Sequence, residues 1–246
     1  MKVRILRFIK INFFEADYNY IIKLLIKKRG YLVMPAASSL VDINQDKEYK
    51  TALEKSTAAL LDSGFFCIIL IIKKFKFFKK FSGYKFINQF LKDNSLKYKK
   101  ILSLDPSIKS SKINNKFLKS KKFKFIKNYA CPKYSDTNVK DKNLLKIINK
   151  YKPDIILSNI GGGIQEKLAL YISQNIKNQL IVCSGAAMSF FTGEQARITF
   201  MIDKLYLGWL KRLFFNPKKF YGRITRSLGL FNIVHRSEIK VKVSYR

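Results

Sequence analysis

Lys152 to Gly193 constrains the fold more than any other stretch of this sequence. Asp154 to Ile160 is a short, mostly apolar run of the kind that forms a strand covered on both faces, and Gly161, Gly162 and Gly163 break it. Ile164, Leu168, Ile172 and Ile176 then recur at helical spacing, and a second apolar run, Leu180 to Cys183, follows within reach of a right-handed crossover. Strand, tight turn, helix and strand make a βαβ unit, with Gly185 and Ala186 just beyond its second strand. The expected fold is therefore α/β, a Rossmann-like, mostly parallel sheet flanked by helices. Ligands of such sheets sit outside the carboxyl ends of the strands, where helix N-termini offer N–H groups to anions, so a phosphorylated ligand is the first expectation. The turn is neither a dinucleotide fingerprint, because Glu166 stands where a third glycine is needed, nor a Walker-type phosphate loop, because no Lys-Ser/Thr pair follows. Glu166 in the first helical turn complements the helix dipole, while Gln165 has an amide to present to a sugar or base.

The rest of the chain reads as further strands and helices. Val3, Ile5, Ile9 and Ile11 suggest one opening strand; Ala16 to Lys28 has helical spacing that Gly30 ends, and Tyr31 to Met34 is a short strand. Asp46 to Leu61 reads as a helix with Asp46 as N-cap, followed by Asp62-Ser63-Gly64 and a buried strand from Phe65 to Ile72. Lys73 to Lys80 is a run of lysine and phenylalanine, either a solvated edge or a lipid or acceptor contact. Phe81 to Lys92 is a helix and Ile101 to Leu104 a strand; residues 107 to 128 are a charged helix-loop region, and Asp141 to Tyr151 is a helix leading into the central unit. An α/β domain over residues 1–200 and a basic, aromatic appendage over 204–246 are expected. In the appendage Trp209, Leu210, Leu213 and Phe214 stand beside Lys211, Lys218 and Lys219, the composition of an interfacial amphipathic helix, the alternative being a terminal helix that caps the core.

Composition narrows the classes of function. Lys and Arg number 49 against 16 Asp and Glu, a formal charge of +33 that favours polyanionic partners, nucleic acid or an acidic lipid surface. Lysines are spread through every segment and no DNA or RNA motif appears, so no nucleic acid is expected, although a nucleic-acid-binding protein stays open as an alternative. Three separated cysteines without a CxxC indicate neither a zinc site nor a disulfide framework, and His235 as the sole histidine removes His-rich metal sites. No signal peptide is evident, and the eight apolar residues from Phe65 to Ile72 fall far short of the roughly 20 a membrane helix needs. The expected location is cytoplasmic, peripheral on the inner face of the cell membrane.

Gly161-Gly162-Gly163-Ile164-Gln165-Glu166-Lys167 resembles the Gly-x-Pro-Lys-Gln-Glu-Lys turn of the WecG/TagA/CpsF bacterial glycosyltransferases. Gly185 to Gly193 is similar to that family's Gly-Gly-Ala-Phe-Asp-Phe-x-x-Gly, and the resemblance continues from Arg197 through Trp209 to Arg212 and Asn216-Pro217 to Arg223. Ile164, Ser189 and Gly208 depart from the family's Lys, Asp and Glu, and Met34-Pro35-Ala36 stands where the family has Thr-x-Asn.

Sugar transfer from a nucleotide diphosphate sugar needs a base for the acceptor proton and positive charge for the departing diphosphate. Asp62, at a sheet-edge position before a glycine, matches the family's catalytic Asp; its alternative role is to cap its own turn. No Asp-x-Asp occurs, and Arg197, Arg212 and Arg223 match family arginines that can grip diphosphate oxygens, so neither a metal nor a cofactor is expected. The candidate substrate-binding set is Gly161, Gly162, Gly163, Gln165, Glu166, Gly185, Ala186, Arg197, Arg212 and Arg223. The resemblance implies inversion, a UDP-linked N-acetylated amino sugar or its uronic acid as donor, a polyprenyl-diphosphate-linked acceptor, and an anionic membrane surface as partner. A catalytically inactive relative acting as a binding subunit is the other alternative, and homo-oligomerisation is left open.

Overall fold

Apolar side chains along each central strand point alternately into two cores, so the sheet is covered on both sides. In the computed structural model, which describes residues 2–195, 214 and 217–245, Tyr31 and Val33 enter one core and Leu32 the other. Ile181 and Cys183 likewise face the first, Leu180 and Val182 the second. Strands without a solvent face need no polar alternation, which is why they read as continuous apolar runs.

The elements are β1 (Lys2–Phe8), β2 (Ile11–Glu15), α1 (Tyr18–Lys28), β3 (Gly30–Val33), α2 (Ala37–Leu40), α3 (Lys47–Glu54), β4 (Ala58–Leu60), α4 (Gly64–Lys74), α5 (Gly83–Lys92), β5 (Lys100–Asp105) and α6 (Ile108–Ser120). They continue with β6 (Phe125–Ala130), α7 (Lys142–Tyr151), β7 (Ile155–Ser158), α8 (Ile164–Asn175), β8 (Leu180–Cys183), α9 (Ser189–Thr192), α10 (Pro217–Ser227), α11 (Leu230–Arg236) and β9 (Ile239–Tyr245). The sheet runs β6-β5-β7-β8-β3-β4-β2-β1-β9, parallel throughout except that β1 lies antiparallel to both of its neighbours. Helices α1, α5 and α6 supply Ile21, Phe86 and Leu118 to one core; α3, α4, α7, α8 and α11 supply Leu53, Ile69, Leu144, Leu168 and Val234 to the other. Asp17, Asp46, Ser63, Ser82, Ser107 and Asp141 each accept a backbone N–H at the start of a helix, which contributes about 1 kcal/mol per cap. Among the described residues no helix is long and apolar enough to cross a membrane.

The expected Rossmann-like α/β architecture is present; several elements differ from their sequence reading. The opening strand is a hairpin, turned at Ile9 and Lys10 with φ of 47° and 62°, the paired positive values that a two-residue turn demands. The long helix from Asp46 divides into α3 and β4. Phe65 to Ile72 is not a buried strand but the body of α4, because Ser63 Oγ accepts the Phe66 N–H at 3.2 Å and starts a helix whose inner face buries Phe66, Cys67, Ile69 and Leu70. The charged region at 107–128 holds α6 and β6. Of the expected appendage, residues 230–245 are part of the main body: Leu230 and Val234 are fully buried, and β9 pairs with β1 along the sheet edge. Trp209, Leu210, Lys211 and Leu213 lie outside the described residues.

Candidate active site

The strand order sets the carboxyl ends of β7, β8, β3 and β4 side by side, at the seam where the later strands of the chain meet the earlier ones. Each strand gives way there to residues that line one cleft of about 1060 Å³: Gly162 and Gly163 beyond β7, Ser184 to Ala187 beyond β8, Met34 and Ala36 to Ser39 beyond β3, and Asp62 to Phe65 beyond β4. Lys80, Ser82 to Tyr84, Asp136, Thr137, Gly222 to Ile224, Arg226 and Ser227 add further parts of the wall, as do Asp42, Gln45 to Tyr49, Gln165 and Lys167. Such a topological seam is where open α/β sheets hold ligands.

Asp62 and the glycine turn thus share one rim. Asp62 stands at the end of a strand, not of a helix as the sequence suggested, and its Oδ1 accepts the Gly83 N–H at 2.7 Å. The capping duty expected of Asp62 falls to Ser63. Gly83 approaches closely: a Cβ there would lie 3.0 Å from Met34 Sδ and 3.6 Å from Asp62 Oδ1. The backbone amide that orients the carboxylate therefore comes from a residue where a side chain would press on the Met34 sulfur.

Gly163 takes φ of 91°, a conformation disfavoured for residues with a Cβ, and its N–H donates to Glu166 Oε2 at 2.7 Å. The Gln165 N–H goes to the Gly161 carbonyl, so two of the amides expected to meet a phosphate are already bonded within the protein. Glu166 is 1% exposed and, like Gly161, does not line the cleft. Burial pushes its carboxyl above the ordinary value. Gln165 does reach the wall, but its amide is engaged: Oε1 accepts the Gly185 N–H at 2.8 Å and Nε2 donates to Glu166 at 3.1 Å. Gln165 therefore ties the glycine mouth after β7 to the one after β8. Lys167, 3% exposed, pairs with Asp46 and donates to the Asp136 carbonyl, pinning the α3 cap and the 131–141 loop to α8.

Beneath this floor lies a polar network that the sequence did not reveal. Asp105 is fully buried at the end of β5, and among the described residues five side chains donate to it: Ser103, Asn114 and Asn159 to Oδ1, Ser111 and Asn128 to Oδ2. Asn159 in turn accepts from Ser184 Oγ at 2.6 Å, and Ser184 lines the cleft. One carboxylate thus orders the ends of β5, β6, β7 and β8.

Lys80 and Arg223 bring cationic groups to the wall, and Arg226 there pairs with Asp42. Lys80, 7% exposed, belongs to the run whose sequence leaves a solvated edge and a lipid or acceptor contact equally open. The signal that distinguishes it is alternation, since Phe78 and Lys80 turn inward while Phe77 and Lys79 turn out. Arg197 and Arg212 lie outside the described residues. The structure accordingly brings together Asp62, Gly162, Gly163, Gln165, Gly185, Ala186 and Arg223 of the expected set, and leaves Gly161 and Glu166 behind the wall.

A search of curated proteins returns no match. The model of the Glycosyl transferase WecG/TagA/CpsF family matches residues 6–242, nearly the whole chain, from the opening hairpin into β9. The chain therefore belongs to the WecG/TagA/CpsF family and is a glycosyltransferase of cell-surface polysaccharide synthesis.

Proposed function

We propose that this glycosyltransferase moves a sugar, an N-acetylated amino sugar or its uronic acid, from a UDP-sugar to a polyprenyl-diphosphate-linked acceptor, with inversion and without a metal. The observation that carries the reading is the single rim shared by Asp62, the turns after β7 and β8, and the cations Lys80 and Arg223. Asp62 takes the acceptor hydroxyl proton as the new bond from that oxygen to the anomeric carbon forms; the bond to the UDP oxygen breaks on the opposite face, and UDP departs with the electron pair. Lys80 and Arg223 offset the charge on the diphosphate, together with Arg197 and Arg212 in this reading. Gln165 and Glu166 act as positioning residues, holding Gly185 and Gly163 where the ligand passes. Cationic handling of the leaving group is supported by two of the carboxylates that line the cleft being held by cations, Asp42 by Arg226 and Asp46 by Lys167. A cytoplasmic site on the inner membrane face follows from the acceptor's chemistry.

The test is UDP release by the purified protein with UDP-N-acetylamino sugars and a polyprenyl-diphosphate-linked saccharide. Asp62→Asn keeps an oxygen for the Gly83 N–H, so the fold persists while turnover falls by roughly 10²–10⁴-fold, the usual worth of a general base. Turnover equal to that of the native protein removes Asp62 from this role.

A further inference from the structure

Four of the large apolar side chains left exposed fall within seven consecutive positions: Ile71 at 39%, Ile72 at 54%, Phe75 at 92% and Phe77 at 65%. Outside positions 71–77, no seven-residue stretch holds more than one among the residues whose exposure is described. Lys73, Lys76 and Lys79 are exposed among them, and no acidic residue occurs from Gly64 to Lys92. Clustered apolar side chains in water mark an interaction surface, and their cationic setting selects an anionic partner.

The backbone of this strap is held in place, so the aromatic rings are presented by a fixed frame. Phe75 closes α4 in the left-handed region, φ 49° and ψ 34°, with its N–H donated to the Ile71 carbonyl and that of Lys76 to Leu70. The Phe77 carbonyl accepts from Arg4 Nη2 at 2.9 Å, and the Arg4 guanidinium lies 4.2 Å from the ring centre of buried Phe78. The Lys79 N–H donates to Glu15 at the carboxyl end of β2, and that carboxylate is itself paired with Arg4. From there the chain passes directly to Lys80 and Ser82 on the cleft wall. Phe77 and Lys79 therefore stand on the rim that carries Asp62.

We propose that residues 71–79 are a docking strap for an anionic bilayer, seating Phe75 and Phe77 at headgroup depth with Lys73, Lys76 and Lys79 against lipid phosphates. Aromatic rings beside lysines suit the water-lipid boundary, where stems and rings enter the apolar layer and charged ends stay out. The strap deepens the reading of a lipid-linked acceptor and rests on it for its purpose. It borders α11, where Lys74 donates to the His235 carbonyl and Lys73 lies 5.7 Å from the Phe231 ring centre, and it sets the cleft rim at the depth where an acceptor diphosphate lies.

Sedimentation of the full chain with phosphatidylcholine vesicles containing roughly one-third phosphatidylglycerol tests this directly. Phe75→Ser/Phe77→Ser is expected to lower the partition coefficient about tenfold or more. Lys73→Gln/Lys76→Gln/Lys79→Gln is expected to lower it about a hundredfold at low salt, and less at high salt. All five positions are exposed, so circular dichroism and thermal midpoint should stay native. Unchanged partition of the phenylalanine variant overturns the proposal, as does equal binding of the native chain to neutral vesicles. Loss of oligonucleotide binding with vesicle binding intact assigns the strap to nucleic acid and overturns it too. Vesicle binding is read without sugar nucleotide, and Asp62→Asn should bind like the native chain, so failure of the strap and failure of the transfer reaction give different results.

Discussion

Replacing Asp105 with asparagine sets two large effects against each other. The carboxylate is buried with no cation among its side-chain donors, so neutralising it relieves desolvation, which in isolation favours the variant. Against this, Oδ1 accepts three side-chain hydrogen bonds and Oδ2 two. An asparagine keeps its oxygen on the side with more donors and turns its NH₂ toward Ser111 and Asn128. Each hydrogen bond to a charged group contributes about 1.5–3 kcal/mol, and a buried donor left facing another donor costs about 1–3 kcal/mol. The Ser111 hydroxyl can rotate away, whereas the Asn128 amide is also engaged with Asn115, so two weakened contacts amount to about 3 kcal/mol. For a chain of this size that lowers the thermal midpoint by roughly 6–12 °C. Differential scanning calorimetry of Asp105→Asn against the native chain measures it. A variant melting at or above the native temperature would show that desolvation outweighs the donors, and would refute the assignment of Asp105 as the anchor of the four strand ends.

Glu166 gives a dependence on pH. Its carboxyl is raised by burial, so the folded state binds the proton more tightly than the unfolded state; its stability contribution is complete below the ordinary value of 4.5 and is lost as pH rises through the folded value. Urea titrations from about pH 4 to about pH 8 should therefore show Glu166→Gln, which has no charge to desolvate, gaining stability relative to the native chain as pH rises; parallel curves would contradict this. Burial pushes the Cys67 and Cys131 thiols up to about 12 and the Cys183 thiol well above its usual value. The native protein should resist iodoacetamide at about pH 8 while all three thiols react in urea, and one thiol alkylated in the native state would count against the structure.

What the sequence disclosed and what it hid have physical causes. The βαβ unit was legible because glycines interrupt two apolar runs around a helical period, and those signals are local. Asp62 was placed on the correct rim through neighbouring elements that were misassigned: α4 was read as a strand because a short run of apolar residues suits a buried strand and a buried helix equally, and only the Ser63 cap decides. The turn at Ile9 and Lys10 escaped because neither residue is the Asn or Gly that such a turn favours; Ile9 packs against the core instead. Gln165 was read as facing a ligand because nothing near it in sequence shows that Gly185 is its partner. The Asp105 network was invisible for the same reason. Its donors come from β5, α6, β6 and the end of β7, and singly each reads as an ordinary loop or surface polar residue.

The antiparallel pairing of β1 with β9 has a consequence for how the protein is made. Phe8 meets Ile239, so the outer edge of the first hairpin waits for a partner synthesised more than 230 positions later. At about 5–20 residues per second that interval lasts roughly 10–50 s, during which a row of open backbone donors and acceptors is available to any other nascent chain. Arg4 and Arg7 on β1 and Lys240 and Lys242 on β9 give both waiting edges the same sign of charge. Two copies of either strand repel each other, and the cationic character of this chain thus guards the polysome against intermolecular strand exchange before the sheet has closed.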